Sequence, residues 1–200
     1  MMEGSIVNLV VFAGLPGTGK TTVARQVALA CHWPYFDYDT LVQPFLQSIE
    51  AECGLEGSRL GFYRHWRAAS YETLWAPVLE NLLLGNDVVL SAPLSAEVRD
   101  ATFFSRLKEG LGRSVTVTCF YMAPRDGLHL DMLKRRGSIR DEEVLSDWAS
   151  YQDSHDDSPP CWDADHYAYL EFNDSKEAFE ASMEMLRTIV SGSISGRGDI

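Results

Sequence analysis

Hydrophobic positions along this chain fall into two alternating patterns. Residues 114–122 and 166–172 carry strand-like stretches rich in β-branched or aromatic side chains, and residues 6–13 and, after a turn, 86–93 carry short apolar runs. Such runs predict strands buried on both faces, as in a parallel sheet. Residues 34–39, PYFDYD, predict a shorter strand that ends in acids. Between these runs the apolar spacing changes to three and four: Val23, Val27 and Ala30 mark a helix over 20–31. The same spacing predicts helices over 41–50, 62–84, 96–111, 125–136, 144–152 and 175–190, with Pro77 expected to kink or divide the second of these. Strand and helix alternate throughout, which predicts an α/β domain: a five-stranded parallel sheet with helices on both faces. Residues 1–190 form the domain, and the Ser/Gly-rich 191–200 have the composition of a frayed, flexible tail.

The junction between the first strand and the first helix carries a specific motif. Gly14, Leu15, Pro16, Gly17, Thr18, Gly19, Lys20 and Thr21 match G-x-x-x-x-G-K-[ST], and Thr22 follows. Glycines at this spacing let the backbone curl until successive N–H groups aim at one anion. A helix starting near Lys20 adds its positive dipole end. Lys20 is placed to reach β- and γ-phosphates, and the Thr21 hydroxyl to reach Mg²⁺. ATP with Mg²⁺ is the ligand this loop predicts.

Composition narrows the setting. Lys plus Arg number 17 against 29 Asp plus Glu, a formal net charge of −12 that disfavours nucleic acid and anionic membrane as partners. The four cysteines, Cys31, Cys53, Cys119 and Cys161, form no C-x-x-C pair and read as reduced thiols. The first apolar run lacks a basic leader and is too short to span a bilayer, so the expectation is a soluble, cytoplasmic protein. The acidic loop 153–157, with His155, reads as solvated rather than metal-binding, and the RGD at 197–199 as coincidence. Oligomeric state stays open, a homodimer included.

The stretches GLPGTGKTT, FDYDTL, VVLSAP and APRDGLHLDMLKRR together resemble the small P-loop kinases and kinase-like ATPases, among them shikimate and gluconate kinases, chloramphenicol phosphotransferase and zeta toxins. The resemblance covers roughly residues 6–190. It implies a P-loop NTPase-type three-layer sandwich with a small lid, near 134–143. It also implies transfer of the γ-phosphoryl of ATP to a small-molecule hydroxyl: an antibiotic, a sugar or a natural-product intermediate. A nucleoside or nucleotide kinase, a polynucleotide 5′-hydroxyl kinase and a non-catalytic ATP-binding regulator are the alternatives. An aligned carboxylate favours an enzyme over a pure binder.

The resemblance assigns roles to residues of this chain. An acid at the end of the second strand accepts the acceptor's proton, which makes Asp39 the candidate base and Asp37 a candidate for the metal or its waters. Asp39 or Thr40 capping the next helix is the competing reading. Lys134, Arg135 and Arg136 end a helix before Gly137, and Arg140 follows. They are the candidate lid cations for the triphosphate, with dipole complementation as the alternative. The third strand ends in Ser91, where many P-loop enzymes carry a metal-holding acid, and no acid follows until Glu97. That ligand is either missing or replaced by Asp37 or Asp39, and Ser91, Ala92 and Pro93 read as lining the acceptor pocket or as a plain strand-to-loop turn. Arg64 and Arg67, interleaved with aromatics between the second and third strands, are the acceptor-side candidates. Most of those aromatics read as core. Arg125 reads either as near the nucleotide or as a surface residue, and Asn173 to Ser175 either as lying by the adenine or as a turn that caps the last helix.

Overall fold

The computed structural model describes residues 6–54, 58–125, 127–137, 141–154, 160–172 and 175–195. Five strands, β1 (Val7–Gly14), β2 (Tyr35–Asp37), β3 (Val88–Ser91), β4 (Val115–Pro124) and β5 (His166–Phe172), form one sheet in the order β2-β3-β1-β4-β5. Every pairing is parallel. Strand periodicity splits β1 between two cores. Val10 and Phe12 face α1 (Lys20–Cys31) and α9 (Ser175–Ser195), against Val23, Val27, Ala178 and Leu186. Leu9 and Val11 face the opposite layer, where α2 (Tyr38–Cys53), α4 (Arg67–Leu84) and α5 (Phe103–Leu111) supply Val42, Leu46, Leu74, Val78, Leu82 and Phe104. The expected three-layer α/β sandwich is therefore present. No helix among the described residues is long and apolar enough to cross a membrane.

The connection leaving the central strand β1 runs to one side of the sheet, to β2, and that leaving its neighbour β3 runs to the other, to β4, so a switch point lies between β1 and β3. Ligand crevices of open parallel sheets form at such a point, beyond the carboxyl ends of the strands. The end of β1 is close-packed: Gly14 has φ +122°, and a Cβ there would stand 2.2 Å from the carbonyl oxygen of Met122 on β4. Backbone of a central strand cannot move aside cheaply. Gly14→Ala is expected to destabilise by roughly 2 kcal/mol or more, a fall of about 4–8 °C in Tm. A melting curve coincident with the parent would refute this packing.

Several element boundaries differ from the sequence expectation. Pro77 does not divide its helix: α4 runs through it, because Leu74, Val78 and Leu82 are fully buried on one face. That burial outweighs the lost helix hydrogen bond. The division falls instead at Trp66, between α3 (Arg59–His65) and α4. The helix expected over 96–111 is a short 3₁₀ turn (Glu97–Arg99) followed by α5. Asp163 starts α5 from a distant segment, accepting from the Phe104 and Ser105 N–H groups at 2.9 and 2.7 Å. Those two bonds hold the Asp163 carboxyl below its ordinary range against the opposing effect of burial. Helix α6 (His129–Arg136) begins after Gly127, whose φ is +77°. The helix expected over 144–152 is two, α7 (Glu142–Ser146) and α8 (Trp148–Ser154), with Asp147 at the break accepting from Ser150 N–H at 3.2 Å. Residues 191–195, expected in a frayed tail, continue α9. The remainder of the tail with its RGD, residues 155–157, Asn173 and Asp174 lie outside the described residues.

Candidate active site

The glycine-rich loop turns from β1 into α1 through two left-handed residues, Gly17 (φ +77°) and Gly19 (φ +78°). A side chain at either would strain that backbone. Thr18 between them is fully buried, and its hydroxyl donates to the Leu15 carbonyl at 2.9 Å. Lys20 Nζ donates to the same carbonyl at 2.5 Å. The first turn of α1 carries no acid, and its N-cap, Gly19, offers no side-chain bond. The helix therefore presents its positive end to the loop without a competing carboxylate.

Asp37 ends β2 and caps α2. Its Oδ2 accepts from the Thr40 N–H at 3.0 Å and the Thr40 hydroxyl at 2.9 Å. Its Oδ1 accepts from the Thr21 hydroxyl at 3.0 Å. The capping reading of Asp39 or Thr40 is thereby corrected: Asp37 is the cap, and the strand expected to reach residue 39 stops at 37. An extended residue whose carboxylate reaches the N–H three positions on is what an N-cap requires. Asp39 stands in the first turn of α2. Burial, and the charge of Asp37 next to it, push the Tyr35 phenol well above its ordinary range, so this ring stays neutral.

A cavity of about 790 Å³ gathers most of the predicted residues. Pro16, Gly17, Gly19, Lys20, Thr21 and Thr22 form its floor, Asp37, Asp39 and Ser91 one wall, and Arg135 and Arg136 with Asp141 the other. Arg136 is held by Asp141, its Nε donating at 2.8 Å and its terminal nitrogen donating to the second carboxylate oxygen. Arg140 lies outside the described residues. Ser91 is buried, paired in register with Asp37 and Phe12. The first acid beyond it, Glu97, is turned into the protein and bound by Arg67 at 2.6 Å. Of the acids weighed for the missing strand-end carboxylate, Asp37 is the one brought to Thr21.

A second cavity, about 610 Å³, holds Arg64, Arg67 and Pro93 together with Tyr38, Tyr63 and Tyr71. Pro16, Tyr38, Pro93 and Val144 line both cavities, so the two chambers meet there. Leu94, next to this junction, holds φ +50° and donates its N–H to the Tyr71 hydroxyl at 3.0 Å. A left-handed leucine is uncommon, and such strain gathers at working sites. Arg125 lines a third cavity of about 370 Å³ that also touches Leu15 of the loop.

No family model matches the chain. Solved structures match along nearly its whole length. A kinase-like protein from Chloroflexus aurantiacus J-10-fl superposes with a TM-score of 0.62 at 14% identity, over 94% of this chain and 99% of that one. A sugar kinase from Janibacter sp. HTCC2649 gives 0.57 at 16%, over 91% and 95%. A gluconokinase from Sinorhizobium meliloti 1021 gives 0.55 at 17%, over 98% of both chains. The chain has the P-loop kinase fold. In sequence, 44 residues, 22% of this chain, are 48% identical to a shikimate kinase of Cupriavidus pinatubonensis, and they span 19% of that protein's length.

Within this P-loop kinase fold, the residues present fit a nucleotide triphosphate and its metal. The left-handed glycines and uncapped helix end suit an anion, and the Thr21 hydroxyl beside the Asp37 carboxylate is a hard-oxygen donor set of the kind Mg²⁺ takes. Sequence reasoning missed four contributors. Asp141 fixes Arg136. His129 shares a hydrogen bond with the Pro16 carbonyl at 2.9 Å and meets the Trp148 and Tyr151 rings at 5.4 and 6.0 Å, tying α8 to the loop. The aromatic spacing Trp148, Tyr151, three apart on one helix face, was the available signal for this clamp.

Proposed function

We propose that this protein is an ATP-dependent kinase that transfers the γ-phosphoryl group to a hydroxyl of a small molecule. The observation that carries the reading is the meeting of the two chambers. One is built for phosphates by Lys20 and the glycine loop; the other is large enough for an organic acceptor; Asp39 lines the phosphate chamber, of whose walls Tyr38 is shared with the acceptor chamber. Mg²⁺, held through Thr21 and Asp37, would neutralise charge on the phosphate oxygens.

Asp39 orients the acceptor hydroxyl and takes its proton as the oxygen bonds to the γ-phosphorus. The bond from that phosphorus to the β–γ bridging oxygen breaks, and ADP leaves with the electron pair. Lys20, and Arg135 and Arg136 at the lid, face the charge that moves onto those oxygens. Arg136 enters this step oriented by Asp141, so its fork is fixed before phosphate arrives. Arg136→Ala is expected to lower kcat at least tenfold, within the ~3 kcal/mol of a lost transition-state donor. Asp141→Asn weakens the same orientation and should follow in the same direction. Two silent variants in steady-state assays would remove the segment from the mechanism.

The direct test incubates the protein with ATP, Mg²⁺ and a panel of small alcohols, and follows ³¹P NMR for a new phosphomonoester. ADP formed only when an acceptor is present, with a matching phosphomonoester, supports the reading. ATP bound at the loop with no transfer to any acceptor would favour the nucleotide-binding regulator instead.

A further inference from the structure

The walls of the second chamber speak to the acceptor's chemistry. Tyr38, Tyr63, Tyr71 and Tyr151 converge on it from four helices, with Pro16 and Pro93 at its opening to the phosphate side. Its volume, about 610 Å³, lies in the range of sites for drug-sized molecules. Two of its tyrosine hydroxyls are engaged within the protein. The Tyr63 hydroxyl accepts from Gln43 Nε2 at 2.7 Å, and the Tyr71 hydroxyl from the Leu94 N–H. Burial raises both Tyr38 and Tyr71 above the ordinary phenol range, which keeps these two rings uncharged.

Two of its three arginines are paired as well. Arg67 bonds to Glu97 at 2.6 Å and lies flat over the Tyr71 ring, 4.2 Å from its centre. Arg59 bonds to Glu50 at 2.7 Å. Arg64 shares the lining with Asp147, which comes from the opposite, lid side. Three arginines thus stand among three carboxylates. A sugar acid would have to draw the Arg67 or Arg59 guanidinium away from Glu97 or Glu50, both largely buried, at a desolvation cost. A polyol would find few unengaged hydrogen-bond groups for its hydroxyls. A flat apolar ring meets aromatic faces at no such cost.

We propose that the acceptor is a neutral aromatic alcohol: its ring packs among the four tyrosines, and its hydroxyl passes between Pro16 and Pro93 toward Asp39. This inference rests on the kinase reading and narrows it. It separates the chain at the level of substrate from the gluconokinase whose fold it shares and from the shikimate kinase it is similar to over 44 residues.

The test uses the full chain and measures binding by isothermal titration. The neutral aryl probes are 2-phenylethanol, 1-phenyl-1,3-propanediol and 2-(2-naphthyl)ethanol; the anionic polyol probes are gluconate and shikimate; ADP reports the loop. At least one aryl alcohol is expected to bind tenfold or more tighter than either acid. Tyr63→Ala and Tyr151→Ala should each weaken it about tenfold, and Tyr63→Ala, remote from the phosphate loop, should hold ADP affinity and the circular dichroism spectrum. Tighter binding of gluconate or shikimate overturns the inference. So does aryl binding that ignores both substitutions, or binding of no aryl probe while ADP binds normally. Loss of the kinase reading looks different: ADP then fails to bind, or binds equally well to the Lys20→Ala variant.

Discussion

Asp39→Asn is expected to cut phosphoryl transfer by roughly 10²–10⁴ while ATP affinity and the fold hold. The substitution removes only a charge and the capacity to accept a proton; the side-chain shape stays. Its reach into stability is small, because α2 is capped by Asp37 and not by Asp39. What Asn gives up is a carboxylate in the first turn of a helix, worth about 0.3–1 kcal/mol. Asp39→Ala should lose no capping bond either, so its melting curve should lie close to that of the Asn variant. Asp37→Ala behaves oppositely: it strips the cap, at about 0.5–2 kcal/mol, and the Thr21 contact together. Melting curves and transfer rates for the three variants separate the roles. Full transfer activity in Asp39→Asn would end its assignment as the base and move that role to Asp37.

The sheet and its central loop were legible in the sequence because each is a local pattern. Buried strands of a parallel sheet are apolar on both faces, so β1 and β3 appear as runs; β4 and the edge strand β5, whose Tyr167 and Tyr169 are exposed, show by β-branched and aromatic side chains, and the loop is one contiguous motif with fixed glycine positions. What escaped was decided by partners far along the chain. Asp163 starts α5 across a separation of 59 residues, so nothing near residue 103 announces that the helix expected from 96 begins late. Pro77 looks like a break, yet three buried leucine and valine side chains carry α4 through it. The site divides in the same way. Lys20, Thr21, Asp37 and Asp39 were placed by motif and strand end. The pairing of Arg67 with Glu97, which removes a cation and an acid from the unengaged groups, required the chain to fold. That pairing also engages one of the two acceptor-side arginines, in a chamber whose walls carry four tyrosines.

Lys20→Ala is expected to abolish phosphoryl transfer while the domain still folds. Lys20 Nζ donates to the Leu15 carbonyl, and the Thr18 hydroxyl donates to the same oxygen. Truncating Lys20 leaves the Thr18 bond and the two left-handed glycines in place, so the loop keeps its curl. What disappears is the cation that faces the β- and γ-phosphates. Beside the glycine loop and the N-terminal end of α1, an oriented charge on a transferring phosphoryl group contributes more than it would in water. Removing one such donor costs roughly 10²–10³ in kcat, and ATP affinity should fall as well because the ground-state triphosphate loses the same contact. Alanine is also the better helix former, so the first turn of α1 is not penalised. Thermal melting, ATP titration and the ³¹P transfer assay, run on the variant and the parent side by side, separate a folding defect from a lost phosphate contact. A variant that melts like the parent and transfers at a near-normal rate would show that the glycine loop does not hold the triphosphate through Lys20.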